Sequence, residues 1–120
     1  MAQVLIVDDS LTVRNEVSAF LENNGIQVAT AEDGLKGLDA IQRDRSLKLI
    51  LCDVNMPNMD GLTMVEKLKQ SGNTIPIIML TTESSASMKQ RGKDAGVKGW
   101  IVKPFNGSAA LAGIKQLIGA

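Results

Sequence analysis

Leu49-Ile50-Leu51-Cys52-Asp53-Val54-Asn55-Met56-Pro57 decides the fold class. Four apolar residues in succession read as a strand buried on both faces, the habit of parallel sheets covered by helices. The run breaks on a carboxylate, and a turn over Met56–Asp60 follows. A carboxylate leaving the tip of a buried strand lies where open α/β sheets bind ligands. Three further runs end in a polar group: Val4-Leu5-Ile6-Val7 in Asp8 and Asp9, Ile77-Ile78-Met79-Leu80 in Thr81, and Trp100-Ile101-Val102 in Lys103. If these strands are parallel neighbours, three acids, a hydroxyl and an amine meet on one sheet edge. Such a set suits a hard cation and a phosphoryl group.

Between the strands the apolar spacing turns helical. A first strand over Gln3–Val7 leads to Ser10, which can cap a helix with Val13, Val17, Phe20 and Leu21 on one face and Gly25 at its stop. Gln27–Ala31 is the second strand, and Asp33 can cap a second helix that aligns Leu35, Leu38 and Ile41. Leu47–Asp53 is the third strand; the helix after it carries Leu62, Val65 and Leu68 and closes at Gly72-Asn73. Pro76–Thr81 is the fourth strand. The helix expected over Ser85–Ala95 is poor in apolar residues, with Ala86, Met88 and Ala95 to bury and Gly92 inside it. Trp100–Val102 is the last strand, and Leu111, Ile114, Leu117 and Ile118 mark a final helix begun near Asn106. Strands separated by single helices require parallel pairing with right-handed crossovers. The expected fold is therefore α/β, a (βα)5 doubly wound three-layer sandwich, as one domain over 1–120 with no output domain.

Size and composition agree with one soluble core: 120 residues, 44% hydrophobic and 22% charged. Lys+Arg and Asp+Glu both number 13, so no broad field recruits nucleic acid or an anionic membrane. The single cysteine, Cys52, cannot form an internal disulfide, which suits a cytoplasmic location. No apolar run reaches the length of a membrane span, and Met1-Ala2-Gln3 lacks a leader's pattern. Histidine is absent, which removes Ser-His and Cys-His nucleophile systems and most zinc sites. Aromatics are 2% with no tyrosine, against base-stacking platforms.

An Asp-Asp pair after a strand, taken alone, is a helix cap and turn former; Thr81 alone is a β-branched strand residue, and Lys103 alone a solvated charge. At matching strand ends they become a site. Three acids at ~5 Å repel by on the order of 3 kcal/mol per pair at an effective dielectric near 20, before screening. A divalent cation or the Lys103 ammonium relieves this, and magnesium takes one or two carboxylates, waters and a phosphate oxygen. Asp53 is then a metal ligand only, or a nucleophile, since carboxylates accept phosphoryl groups as acyl phosphates.

The chain resembles the receiver domain of two-component response regulators along its whole length. The matching blocks are Val4-Leu5-Ile6-Val7-Asp8-Asp9-Ser10, Leu51-Cys52-Asp53-Val54-Asn55-Met56-Pro57 with Asp60-Gly61, Met79-Leu80-Thr81-Thr82, and Lys103-Pro104-Phe105. The segment Asp8-Asp9-Ser10-Leu11-Thr12-Val13-Arg14 and the pairing of Asn55 with Glu83 are most similar to single-domain, CheY-like chemotaxis regulators. This resemblance implies a flavodoxin-like strand order of 2-1-3-4-5. It implies Asp53 as phosphoacceptor, and Mg2+ held by Asp8, Asp9, Asp53 and the backbone carbonyl of Asn55. Thr81, with Thr82 beside it, and Lys103 would bind the phosphoryl group, Lys103–Pro104 would be a cis peptide, and Asn55 and Glu83 would tune dephosphorylation. Trp100 stands where the family usually has a Tyr or Phe switch.

The implied partners are a histidine kinase of chemotaxis type as phosphodonor and a target on the helix 4–strand 5–helix 5 face, a flagellar switch component if the role is chemotactic. A phosphatase could also act on the domain. No nucleic acid or membrane insertion is expected, and the protein should be a monomer. A phosphorelay shuttle or phosphate sink is the alternative role. A magnesium-dependent phosphohydrolase with an Asp nucleophile would usually need an acid where Asn55 stands. A nucleotide or flavin binder would need a glycine- or Ser/Thr-rich loop in place of Asp8-Asp9-Ser10-Leu11.

Overall fold

The structure is a computed structural model and describes residues 1–119. Strands and helices alternate as β1 (Val4–Val7), α1 (Leu11–Asn23), β2 (Val28–Ala31), α2 (Gly34–Arg43), β3 (Leu49–Cys52), α3 (Gly61–Gln70), β4 (Ile77–Thr81), α4 (Ala86–Asp94), β5 (Gly99–Val102) and α5 (Gly107–Ile118). The strands form one parallel sheet in the order β2-β1-β3-β4-β5. The flavodoxin-like architecture is therefore present. The first four strands are a residue or two shorter at their N-terminal ends than the β-rich runs suggest; β4, for instance, starts after Pro76, which has no N–H to give a ladder. In contrast, β5 begins one residue earlier than expected, at Gly99.

Side chains of the central strands alternate between two cores, as the period-two pleat requires. Leu5, Val7, Ile50, Cys52, Ile77 and Met79 join Ile41, Leu62, Val65 and Leu68 of α2 and α3. Val4, Ile6, Leu49, Leu51, Ile78 and Leu80 join Val17 and Leu21 of α1 and Ile114 and Ile118 of α5. Each helix begins with a side-chain cap on a main-chain N–H: Ser10, Asp33, Asp60, Ser85 and Asn106 in turn. Caps of this kind are worth about 1 kcal/mol each and set where the helices start beside the strand tips.

Two expectations for helix faces need correction. Leu35 is 52% exposed; α2 instead turns Gly34, Gly37 and Ile41 inward, because its first turns press too closely on neighbours to admit a larger residue. A Cβ on Gly34 would lie 2.6 Å from the Met59 carbonyl oxygen. In α4, Ala86 is exposed, Met88 and Ala95 are half-buried, and only Gly92 is buried. The helix is tied sideways to α3 by polar contacts. Arg91 Nε and Nη2 donate to the two Glu66 carboxylate oxygens at 2.9 and 2.7 Å, and Lys69 Nζ donates to the Asp94 carbonyl at 2.6 Å. No helix among the described residues is long and apolar enough to cross a membrane.

Candidate functional site

The order β2-β1-β3-β4-β5 puts β1 and β3 at the centre with registers Val7↔Cys52, so Asp8 and Asp53 leave adjacent strand tips side by side. The Asp53 N–H donates to the Val7 carbonyl at 2.9 Å, which carries the ladder one step beyond the strands. Carboxylate oxygens of Asp8, Asp9 and Asp53 all lie within 4.8 Å of one another. Asp8 and Asp53 are buried, and Asp9 is exposed at the mouth of the cluster. Lys103, just past β5, reaches across β4 to place its Nζ 2.8 Å from Asp8 Oδ2 and 3.1 Å from Asp53 Oδ2.

The two buried acids are also held by main chain. Asp8 Oδ1 accepts from the Ser10 N–H at 2.9 Å, and Asp53 Oδ1 from the Val54 N–H at 2.7 Å. Arg14 Nη1 donates to the Asp8 carbonyl oxygen at 2.7 Å, which fixes the Asp8-Asp9 turn from behind. Burial pushes the Asp8 carboxyl up from its ordinary value, with the Asp53 charge adding to the shift; the adjacent Lys103 ammonium and the Ser10 N–H offset only part of it. For Lys103, burial works to lower the pKa, but the Asp8 and Asp53 carboxylates outweigh it and hold the ammonium above its ordinary value.

The donor set fits a hard divalent cation. Three carboxylates against one ammonium leave the cluster two negative charges. The approach of Lys103 to Asp8 Oδ2 is short but poorly aligned for a hydrogen bond, so this buried oxygen keeps capacity for a further partner. Oxygen ligands beside an open mouth are what magnesium takes, keeping several waters.

Thr81 is fully buried at the end of β4, and its Oγ1 accepts from the Glu83 N–H at 3.2 Å. Accepting there leaves the hydroxyl proton free to be donated elsewhere. Trp100 Nε1 donates to the Glu83 carbonyl at 2.8 Å, while the indole ring packs towards Gly92 of α4. Asn55 Nδ2 donates to Glu83 Oε2 at 3.3 Å, so these two side chains meet at the exposed rim. Thr82 is exposed and lines a cleft of about 330 Å³ with Val13, Glu16, Lys103, Pro104 and Phe105, beside the cluster rather than in it. The Lys103–Pro104 peptide is cis. Burial pushes the Cys52 thiol well up, and its Sγ donates to the Asp53 carbonyl at 3.2 Å; it is a packing residue without thiolate character.

Several supporting groups leave little trace in sequence patterns. Gly61 packs so closely under Asp53 that an added Cβ would sit 1.8 Å from the Asp53 carbonyl oxygen; the Asp60-Gly61 pair is the only signal for it. Asn58 adopts a left-handed φ of 66° and donates from Nδ2 to Asp33 Oδ2 at 2.9 Å, across 25 residues of chain. Asp33 reads in the sequence as a cap alone.

Residues 4–115 match the response regulator receiver domain family. The sequence is 39% identical over 116 residues to the response regulator MprA of Mycobacterium avium, covering 97% of this chain and 50% of that protein. The chain thus spans about half the length of the curated relatives it matches. Among solved structures it is similar to the Vibrio cholerae chemotaxis protein CheY4, at 44% identity with 98% of both chains covered and a TM-score of 0.87. It is also similar to a CheY-like receiver domain protein from Methanospirillum hungatei, at 28% identity, TM-score 0.91, with 99% and 94% covered.

Proposed function

The chain belongs to the response regulator receiver domain family, and on that premise we propose that it relays a signal by carrying a phosphoryl group on Asp53. Receiver domains are signalling domains that take phosphate from histidine kinases and generally bind Mg2+ at an acidic pocket. The observation that carries the assignment is the convergence of the Asp8, Asp9 and Asp53 carboxylates at one sheet edge, with Lys103 paired to Asp8 and Asp53.

In the proposed reaction a carboxylate oxygen of Asp53 attacks the phosphorus of a phosphohistidine. An O–P bond forms, the N–P bond breaks, and the imidazole leaves with a proton from solvent. Magnesium, held by Asp8, Asp9, Asp53 and the Asn55 carbonyl, would supply charge neutralisation for the phosphoryl oxygens. Lys103, already paired with Asp53, adds a second positive charge on the same side. The Thr81 hydroxyl donates its free proton to a phosphoryl oxygen. Because Thr81 also accepts the Glu83 N–H, any shift of Thr81 pulls on the loop that Trp100 holds through the Glu83 carbonyl. That loop leads into α4, whose hold on the core is weakest, so the α4–β5–α5 face is the one that changes affinity for a target. Water ends the signal by attacking phosphorus, releasing phosphate and regenerating the carboxylate; Asn55 and Glu83 flank its approach.

The likeness to CheY4 supports a chemotaxis role, with a chemotaxis-type kinase as donor, a flagellar switch component as target and the cytoplasm as location. A phosphorelay shuttle would instead pass its phosphoryl group back to a histidine. Incubation with acetyl phosphate and magnesium, followed by borohydride trapping and mass spectrometry, should label Asp53 alone. Label elsewhere, or full labelling of Asp53→Asn, defeats the assignment. Chasing the labelled protein with phosphotransfer domains separates shuttle from terminal relay.

A further inference from the structure

The loop from Val54 to Asp60 carries the Asn55 carbonyl proposed to face magnesium, and it is held at its far limb by residues outside the acidic cluster. Asp33 is 3% exposed, yet among the described residues no ammonium or guanidinium pairs with it; Lys36 turns instead to Glu32. Capping α2 uses only one carboxylate oxygen, Oδ1, which accepts the Lys36 N–H at 2.9 Å. The second oxygen, Oδ2, accepts the side-chain N–H of Asn58 at 2.9 Å. These two bonds hold the Asp33 carboxyl below its ordinary value, that of Lys36 first. One residue on, the Gly34 N–H donates to the Met59 carbonyl at 3.1 Å, in a contact too close for any side chain on Gly34. On the near limb the Gly61 N–H donates to the Val54 carbonyl at 2.9 Å. The loop is therefore fastened on both sides of Asn55. Asn58 is the one described non-glycine residue with positive φ, a conformation that its contact with Asp33 sustains.

We infer that Asp33 and Asn58 form a clasp that pre-positions the Asn55 carbonyl, making them positioning residues for the cation. This rests on the proposed magnesium reading of the acidic cluster. A helix cap alone would satisfy α2 with a serine; the spent second oxygen and the left-handed Asn58 mark a second task. Outer contacts that orient ligands commonly carry tenfold or more in metal affinity.

The test uses the whole chain and three variants. Asn58→Gly keeps the backbone conformation and removes the link; Asp33→Ser keeps a capping oxygen too short to reach Asn58. The double variant Asp33→Asn with Asn58→Asp exchanges donor and acceptor. Magnesium is titrated while the amide shifts of Asp53 and Val54 are followed, and hydrogen exchange is measured for Val54 to Gly61. Both single variants should bind Mg2+ about three- to tenfold more weakly and exchange the loop amides faster. The exchanged pair should recover the parent's protection. Single variants that fold and bind within about twofold of the parent overturn the clasp alone. A parent protein showing no magnesium-dependent shift at Asp53 overturns the cation reading, and the clasp with it.

Discussion

Removing the Lys103 ammonium while keeping its bulk, as in Lys103→Met, isolates the electrostatics of the site. At 2.8 and 3.1 Å its attractions to Asp8 and Asp53 are each gross about 5–6 kcal/mol at an effective dielectric near 20. Most of this is offset by the desolvation of a lysine whose side chain is only 16% exposed. What remains after the change is two buried carboxylates, with oxygens no more than 4.8 Å apart, repelling by about 3 kcal/mol. Breaking a buried pair in this way typically costs about 3–5 kcal/mol, so a loss near 3 kcal/mol is expected at about pH 7 in chelator. The pH dependence follows from Asp8. Its folded pKa already lies above the ordinary 3.8, and the variant loses the Lys103 ammonium that holds it down. Above 3.8 the native state then binds more protons than the unfolded chain, so stability grows as pH falls and is lost as pH rises through the folded Asp8 value. Saturating magnesium should restore stability, because it binds only the folded cluster. Urea titrations of parent and variant, in chelator and in magnesium, at about pH 5 and about pH 7 read all three effects. A variant within about 0.5 kcal/mol of the parent at the higher pH, with no gain towards the lower, refutes the reasoning.

Gly61→Ala drives a methyl group into the Asp53 carbonyl, 1.8 Å away, so Asp53 must shift; about 3 kcal/mol or more should be lost together with acetyl-phosphate labelling, read by thermal melts and mass spectrometry. Trp100→Phe removes the donor to the Glu83 carbonyl; about 1 kcal/mol should go, and hydrogen exchange across Thr82 to Ser85 should quicken while labelling of Asp53 persists. Asn55→Met and Glu83→Leu replace the two polar side chains that meet at the rim, which should lengthen the phosphoryl lifetime without preventing its formation, followed by phosphate release after the donor is removed.

The fold and the polar strand tips could be read from the chain because both depend on local pattern. Runs such as Leu49-Ile50-Leu51-Cys52 fix a buried strand, and the first polar residue after each run falls at the same sheet edge once pairing is parallel. Helix starts were legible too: Ser10 and Asp33 read as caps, and the starts expected after the Met56–Asp60 turn, at Ser85 and near Asn106 hold because Asp60, Ser85 and Asn106 also cap N–H groups three residues away. Leu35 was misleading because apolar spacing says which side chains could face a core, not how closely the backbone approaches; where α2 nears the Met59 carbonyl only glycine fits. The same limit hides Gly61. Asp33 with Asn58 and Arg91 with Glu66 join residues 25 apart. Polar pairs of that kind follow from the assembled crossovers, and no periodicity announces them.

The bond between Lys103 and Asp53 spans 50 residues, which orders events on the ribosome. Domains tend to organise from the N-terminal side as they are made, and β1 to β3 supply all three acids before β5 exists. A nascent chain thus brings its negative charges together with no ammonium of its own to balance them. The last crossover does more than complete the sheet: its arrival neutralises a cluster that the earlier units must either keep apart or share with a cation from the surrounding solution.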